Sequence, residues 1–208
     1  MREEKGMPRF PVVLLPFLLL ATVLAAGALW RLGDLRAQRG TQTISIDKVE
    51  LGGPFTLTDQ NGEKRSDSEF RGKYMLIFFG YTFCPDVCPT TLAVMAAALD
   101  KMGSGADRIV PIFISVDPER DKPEVLKAYL SAFGPRFVGL TGTEEEIAAT
   151  AKAYRVYVQS HKDEGQNYTV DHSGVVYLMD KSGAFLANYS LDASPDKLAA
   201  DLTKQTIN

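Results

Sequence analysis

The middle of the chain carries an unbroken apolar run, YMLIFF at Tyr74–Phe79. Its length is that of a β-strand, and a strand without polar alternation is covered on both of its faces. Strands of this kind occur in sheets that lie between two layers of helices. The run therefore predicts an α/β domain in which Tyr74–Phe79 is a central strand.

Strand and helix patterns alternate around this run. The predicted helices are Pro89–Met102 closed by Gly103, Lys122–Phe133, a helix from Thr143 to about Tyr154, and a last helix that begins at Ser194, Pro195 and Asp196. The predicted strands are Phe55–Thr58 before a hairpin turn at 59–62, Tyr74–Phe79, Ile109–Val116, and a hairpin of Val175–Met179 with Phe185–Tyr189. This order predicts a thioredoxin-like three-layer fold with an N-terminal β-hairpin extension.

A second apolar run, Phe10–Trp30, contains no charged residue. As a helix it would be about 30 Å long, the thickness of a bilayer core. We therefore expect one transmembrane helix before the domain, retained as an anchor or uncleaved signal. Ala26-Gly27-Ala28 also has the spacing of a signal-peptide cleavage site. Residues 1–9 would be a cytoplasmic tail, residues 31–48 a polar linker and residues 49–208 the exported domain.

The overall charge and the number of cysteines exclude two classes of protein. The net charge is −3 and the pI is about 5.5, so the chain has no basic surface for nucleic acid. Only two cysteines are present, which excludes a small scaffold stapled by disulfides.

Both cysteines lie in one motif, Cys84-Pro85-Asp86-Val87-Cys88, between the central strand and the next predicted helix. The N–H groups of a helix N-terminus lower the pKa of a nearby thiol, and the spacing puts both side chains on one side of a helical turn. Such a pair could close a disulfide or hold one metal ion. Two inert buried thiols and a purely structural disulfide are the alternatives. A disulfide across so short a loop would add little stability.

Three segments resemble the Sco/SenC family: FFGYTFCPDVCPTTL at 78–92, SVDPERD at 115–121 and VDHSGVVYLMD at 170–180. Members of this family are membrane-anchored copper proteins with a thioredoxin fold, found in the bacterial periplasm and the mitochondrial intermembrane space. The resemblance extends from about Phe55 to the last helix. It implies that Cys84, Cys88 and His172 bind copper, as Cu(I), Cu(II) or both. The other histidine, His161, lies in a polar loop and is left out of the site.

The same resemblance implies a function and a location. The chain would be a copper chaperone that delivers the metal to the dinuclear copper site of cytochrome c oxidase subunit II. An upstream periplasmic copper donor or thiol reductant would be a second partner. The chain would cross the bacterial inner membrane once, with its C-terminal domain in the periplasm. Asp117 would support the site or help a partner to dock, or it would only form a helix-entry turn with Asp121.

The main alternative function is that of a thiol-disulfide oxidoreductase, with Cys84 as the attacking thiol and Cys88 as the resolving one. Its substrate could be the cysteines of the oxidase copper site, and a copper or redox sensor is a further alternative. Two features disfavour plain dithiol exchange. The spacing is one residue longer than the Cys-x2-Cys of redox thioredoxins, and no proline lies between Pro135 and Pro195 to precede the facing strand.

Overall fold

The computed structural model describes residues 51–207 except 163, 164, 166, 191 and 192. The expected anchor at residues 10–30 and the linker at 31–48 lie outside the described residues. Within the described residues, no helix combines the length and the apolar character needed to cross a bilayer.

The described residues form two sheets and four α-helices. The strands are β1 (Thr56–Asp59), β2 (Lys64–Ser66), β3 (Tyr74–Gly80), β4 (Ile109–Ser115), β5 (Val138–Thr141), β6 (Val158–Ser160), β7 (Val170–His172), β8 (Val175–Met179) and β9 (Phe185–Ser190). The helices are α1 (Val87–Met102), α2 (Pro123–Leu130), α3 (Glu144–Ala153) and α4 (Pro195–Thr206).

The main sheet has seven strands in the order β2-β1-β5-β4-β3-β8-β9. Strands β3, β4 and β5 are parallel, the hairpin β1–β2 joins β5 antiparallel, and β8 joins β3 antiparallel. Every residue of β3 is buried, as its unbroken apolar run predicts. The expected α/β architecture with an added N-terminal hairpin is confirmed. A separate antiparallel ribbon, β6–β7, pairs Val158 with His172.

Successive residues of β3 face opposite layers of the fold. Phe78 packs against the Phe113 ring, which in turn packs against Tyr129 of α2. The start of α1 lies on the same face of the sheet. Phe79 packs on Tyr154, at the end of α3, on the other face. Helix α4 packs beside α1. The cysteine motif therefore lies at the carboxyl end of β3, on the face that carries α1 and α2.

Local sequence signals determine most of the helix ends. Thr143 and Glu146 form a reciprocal capping box at the start of α3, and the Ser194 side chain accepts the Lys197 N–H at the start of α4. Gly103 ends α1 with a φ of +57°, a conformation that glycine adopts without strain. These ends agree with the sequence prediction.

Several details differ from the prediction. Helix α1 begins at Val87, two residues before Pro89, because a proline is compatible with the first turn, where N–H groups have no helical partner. Helix α2 ends at Leu130, and a 3-10 turn continues it to Phe133. Strands β5, β6 and β7 were not expected from the sequence. His172, which belongs to none of the predicted helices or strands, is the last residue of β7.

Candidate metal and thiol site

The two cysteines lie on either side of the start of helix α1. Cys84 is in the loop after β3 and is partly exposed, whereas Cys88 is in the first turn of α1 and fully buried. Both are free thiols. The Cys88 N–H donates to the Cys84 sulfur over 3.4 Å, so both thiols meet at the N-terminus of one helix.

His172 lies beside the buried thiol, although it is 84 residues away in sequence. Its Nε2 atom is 3.4 Å from the Cys88 sulfur, and its Nδ1 atom is 3.2 Å from the Ser173 carbonyl oxygen. Because a carbonyl oxygen only accepts, Nδ1 carries the proton and Nε2 presents a lone pair toward Cys88. The ring also lies edge-on to Phe78 and Tyr81, with centroids 6.0 Å away.

Burial determines the protonation of this pair. Loss of solvent raises the pKa of the Cys88 thiol strongly, and the backbone hydrogen bond from Tyr81 opposes the shift only in part. Burial also lowers the pKa of His172, so its ring is neutral at pH 7. The expectation that the helix N-terminus lowers the pKa of a nearby thiol is therefore wrong for Cys88, because desolvation outweighs it. The resting pair is a neutral thiol facing a neutral imidazole.

Gly80, the last residue of β3, leaves the space that the buried thiol occupies. A Cβ atom at this position would lie 2.9 Å from the Cys88 sulfur, 2.9 Å from the Phe113 ring and 3.1 Å from the Phe78 ring. Only a residue without a side chain brings the strand end and the first turn of α1 this close.

Gly80→Ala should therefore destabilise the fold by about 1–3 kcal/mol, because the added methyl group overpacks a full site. Chemical denaturation measures this change. The matched control is Gly105→Ala, where the nearest atoms to a Cβ belong to Met102 and lie 3.9 Å away. Equal stabilities for the two variants would contradict the close packing at Gly80.

Asp117 is buried and anchors Arg120, a residue that connects three segments around the site. Asp117 accepts hydrogen bonds from Arg120 Nε and from the Tyr168 hydroxyl, the latter at 2.5 Å. The Arg120 guanidinium donates to the Tyr168 carbonyl oxygen and lies 3.6 Å from the centre of the Tyr168 ring and 4.7 Å from that of Phe83. Arg120 thus joins the loop after β4 to the residue before Cys84 and to the segment that leads into β7.

Asp121 holds the other side of the cysteine loop. It is fully buried and accepts hydrogen bonds from the Thr82 N–H at 3.0 Å, the Thr82 hydroxyl at 2.6 Å and the Ser115 hydroxyl at 2.6 Å. Burial raises the pKa of Asp121, although these three hydrogen bonds oppose the shift. Sequence reasoning placed Asp121 only in a turn, and it gave no role to Arg120 or Tyr168. The segment SVDPERD could have indicated Asp121 and Arg120, whereas nothing in the sequence indicated Tyr168.

Asp121→Asn should destabilise the fold by about 1–3 kcal/mol, because an amide cannot accept all three hydrogen bonds. Because the pKa of Asp121 is raised in the folded chain, its protonation stabilises the fold. This stabilisation is complete below the pKa of Asp121 in the unfolded chain and is lost as the pH rises through its pKa in the folded chain. Unfolding curves measured at a series of acidic pH values should show this loss of stability for wild type and not for Asp121→Asn. Asp107→Asn is the control, because Asp107 is 71% exposed and its ion pair is with the surface residue Arg136. A destabilisation of both variants to the same extent would contradict a special role for Asp121.

His161 pairs with the residue that precedes His172. Its Nε2 atom pairs with the exposed Asp171 carboxylate at 2.9 Å. Asp171 precedes His172 in β7, and adjacent strand residues point to opposite faces. His161 therefore contacts the outer face of the ribbon that carries His172.

Within the described part of the chain, no group of three or more His, Cys, Asp or Glu side chains is already spaced to hold a metal ion. Cys88 and His172 are in contact, and Cys84 is tied to the backbone of Cys88. The donor set itself fits a soft ion, since two sulfurs and one imidazole nitrogen suit Cu(I). Cys84 is partly exposed, and its sulfur would be the third donor of such a site.

Comparison with known proteins identifies the family. The sequence model of the SCO1/SenC family matches residues 44–206. The chain belongs to the SCO1/SenC family. The SCO2-like protein of Rickettsia felis is 39% identical over 187 residues, which are 87% of this chain and 91% of that protein. The mitochondrial SCO1 homolog of Homo sapiens is 43% identical over 160 residues, 76% of this chain and 53% of that protein.

Solved structures of SCO1/SenC proteins share the fold described above. The structure of Bradyrhizobium japonicum ScoI with copper bound has a TM-score of 0.70 and 49% identity, and the match covers 74% of this chain and 99% of that one. Arabidopsis thaliana ScoI with copper bound has a TM-score of 0.71 and 40% identity, with coverages of 74% and 97%. BsSco has a TM-score of 0.63 and 29% identity, with coverages of 77% and 96%, and is described as having a disulfide switch.

Proposed function

We propose that this chain is a copper chaperone that binds copper through Cys84, Cys88 and His172 and serves cytochrome c oxidase assembly. The observation that carries the proposal is the 3.4 Å approach of His172 Nε2 to the Cys88 sulfur, on the helical turn to which Cys84 is also tied. Copper-bound relatives and the description of the Sco family as cytochrome c oxidase assembly proteins support it.

Loading would exchange protons for the metal. The buried Cys88 keeps its proton at neutral pH, so copper rather than a change of pH would convert it to a thiolate. The neutral His172 ring offers Nε2 without losing a proton, and the Ser173 carbonyl holds the ring in that tautomer. Cys84 would supply the remaining sulfur donor of the site.

Delivery would proceed by ligand exchange at the exposed side of the site. A ligand of the recipient would bind the copper while Cys84 is released, and Cys88 and His172 would follow. The proposed recipient is the dinuclear copper site of cytochrome c oxidase subunit II. An upstream copper donor or a thiol reductant would prepare the chain, because both thiols must be reduced before they bind metal.

The test is direct transfer to the recipient. The copper-loaded chain is mixed with the copper-free, reduced copper domain of subunit II, and the absorption spectrum of the dinuclear centre is followed. We expect the spectrum to develop with loaded wild type and not with a Cys84→Ser, Cys88→Ser chain that has been taken through the same copper-loading procedure. A domain that stays copper-free beside the loaded wild type would refute delivery to subunit II.

A thiol-disulfide reductase is the second candidate, favoured by the unequal exposure of the two thiols. Cys84 is partly exposed and Cys88 is buried behind it, the arrangement of an attacking and a resolving thiol. Cys84 would attack a partner disulfide and displace one partner thiolate. Cys88 would then attack the mixed disulfide, releasing the reduced partner and leaving a Cys84–Cys88 disulfide. Reduction of the oxidised subunit II domain by the metal-free chain, with one disulfide formed per disulfide reduced, tests this activity.

We also propose that residues 10–30 anchor the chain in the bacterial inner membrane, with the domain in the periplasm. The support is the uncharged apolar run of the sequence. Mass spectrometry of the protein purified from membranes should give an N-terminus before residue 10. A mature N-terminus at or near Leu29 would replace the anchor by a cleaved signal peptide.

A further inference from the structure

Tyr129 of helix α2 has a buried hydroxyl that has no part in the proposed functions so far. Within the part of the chain that the structure describes, this oxygen is shielded from solvent and has no hydrogen-bond partner. Unpaired buried hydroxyls are uncommon in native proteins, because each one destabilises the fold. The surroundings of the hydroxyl determine which group it can bind.

The packing of Tyr129 directs its hydroxyl toward the cysteine end of the domain. Helix α2 begins two residues after Asp121, and the side chains of a helix lean toward its N-terminus. The Tyr129 ring packs on the Phe113 ring, with centroids 5.9 Å apart. The Phe113 ring and the Cys88 sulfur each lie 2.9 Å from the place that a Cβ atom of Gly80 would take. Tyr129 therefore packs against the same ring that borders the Cys88 sulfur.

The negative charges that act on this hydroxyl belong to the thiol site and to Asp121. Burial raises its pKa strongly, and the charges of Cys88, Cys84 and Asp121 raise the pKa further. The hydroxyl therefore keeps its proton and is available as a donor. Asp121 already accepts three hydrogen bonds. The two sulfurs are the acceptors that a donor at this place can serve.

We infer that the Tyr129 hydroxyl donates a hydrogen bond to the Cys88 sulfur when that sulfur is a thiolate. A neutral thiol is a weak acceptor, which accounts for the unpaired hydroxyl in the resting structure. An ionised sulfur is a strong acceptor, and a buried one needs donors in place of water. Cys84 depends less on this donor, because it is partly exposed. The inference rests on the use of Cys88 as a thiolate, which both proposed functions require.

The hydrogen bond assists the step that closes the dithiol. Cys88 first loses its proton to solvent. Its thiolate then attacks the Cys84 sulfur of a mixed disulfide, forms the Cys84–Cys88 bond and displaces the partner thiolate. A hydrogen bond from Tyr129 increases the fraction of chains in which Cys88 is ionised. For a thiol that is mostly protonated, this gain exceeds the loss of nucleophilicity, so closure is faster.

The test uses the reduced, metal-free full chain in mild detergent and dithiobis(nitrobenzoate), an aromatic disulfide that releases a coloured thiolate. Cys84 attacks the reagent and releases one equivalent, and Cys88 then closes the disulfide and releases a second. Tyr129→Phe removes only the hydroxyl. The matched control is Tyr189→Phe, because the Tyr189 hydroxyl is also buried and unpaired among the described residues. The charge that acts on Tyr189 is that of Asp201 and not that of a thiol.

We expect Tyr129→Phe to slow the second release about tenfold at neutral pH and to leave the first release unchanged, because a hydrogen bond to an ionised group is lost only in the closing step. Tyr189→Phe should match wild type in both releases. Both variants should be at least as stable as wild type in chemical denaturation, since each loses an unpaired buried group.

Three kinetic results would overturn the inference: an unchanged second release, an equal slowing of both releases, or an equal slowing by Tyr189→Phe. A destabilised Tyr129→Phe chain would also overturn it, because the hydroxyl would then have a partner in the resting fold. If wild type releases only one equivalent, the reductase fails and copper delivery does not. The hydroxyl is then judged by competition for Cu(I) with the chelator bicinchoninate. In that assay Tyr129→Phe should bind copper about tenfold more weakly than wild type, and equal binding would overturn the inference.

Discussion

Replacing both thiols, as Cys84→Ser with Cys88→Ser, should abolish stoichiometric copper binding by the reduced chain. Serine hydroxyls stay protonated and are poor ligands for a soft ion, so only the imidazole of His172 would remain. Metal analysis after gel filtration measures the loss, and the thiolate-to-copper charge-transfer absorption should disappear with it. The effect is large because both sulfurs of the proposed site are removed at once.

The controls separate loss of ligands from loss of fold. Cys88 is fully buried, so a serine there places a hydroxyl in the core, and Cys84→Ala with Cys88→Ala avoids this polar group. Circular dichroism and thermal unfolding should show folded domains for both pairs. Stoichiometric copper in either folded variant would mean that other residues make the site.

Oxidised wild type provides a third comparison in the same assay. A Cys84–Cys88 disulfide leaves no thiolate, so oxidation should remove copper binding without any substitution. Reduction should restore it. Tight copper binding with both sulfurs oxidised would contradict the thiolate site.

The regular part of the fold could be predicted because its signals are local. The buried strand β3 is an unbroken apolar run, and helix α3 has its capping box in the sequence. Strand β5 could not be predicted, because it has only four residues, one of them Gly139, and its place beside β4 depends on distant packing. The ribbon β6–β7 consists of two three-residue strands with polar residues in both, so no periodicity reveals it.

The contact between Cys88 and His172 fits the residues that the sequence predicts for the site, whereas the protonation of Cys88 does not follow from the sequence. The motif and the family resemblance indicate both cysteines, and His172 is the histidine that lies at 3.4 Å from Cys88. The burial of Cys88 follows from the start of α1 at Val87, which turns its side chain toward the strand end at Gly80. The pKa of Cys88 is raised because its side chain is buried, whereas the sequence predicted a lowered value. Arg120 and Tyr168 are 48 residues apart, and only the folded chain shows their contact.

Removing the imidazole, as His172→Ala, should weaken copper binding by at least about tenfold while leaving both thiols able to form a disulfide. The structure also gives the ring a packing role, because it contacts Phe78 and Tyr81 edge-on. His172→Phe is therefore the second variant, since it keeps an aromatic ring in place without Nε2. A similar loss of affinity in both variants would trace the effect to the nitrogen atom.

The pH dependence of copper binding distinguishes a ligand from a neighbour. Burial lowers the pKa of His172 below its ordinary value of about 6.5, so the ring takes up a proton at a lower pH than a free imidazole does. Protons should compete with copper at Nε2 only as the pH falls through the lowered value, and this part of the decline should be absent from both His172 variants. His161→Ala is the matched control and should keep the affinity, the spectrum and the full pH profile of wild type. If His172→Phe binds copper as wild type does at every pH, His172 is not a ligand, and the reductase becomes the better account of the two cysteines.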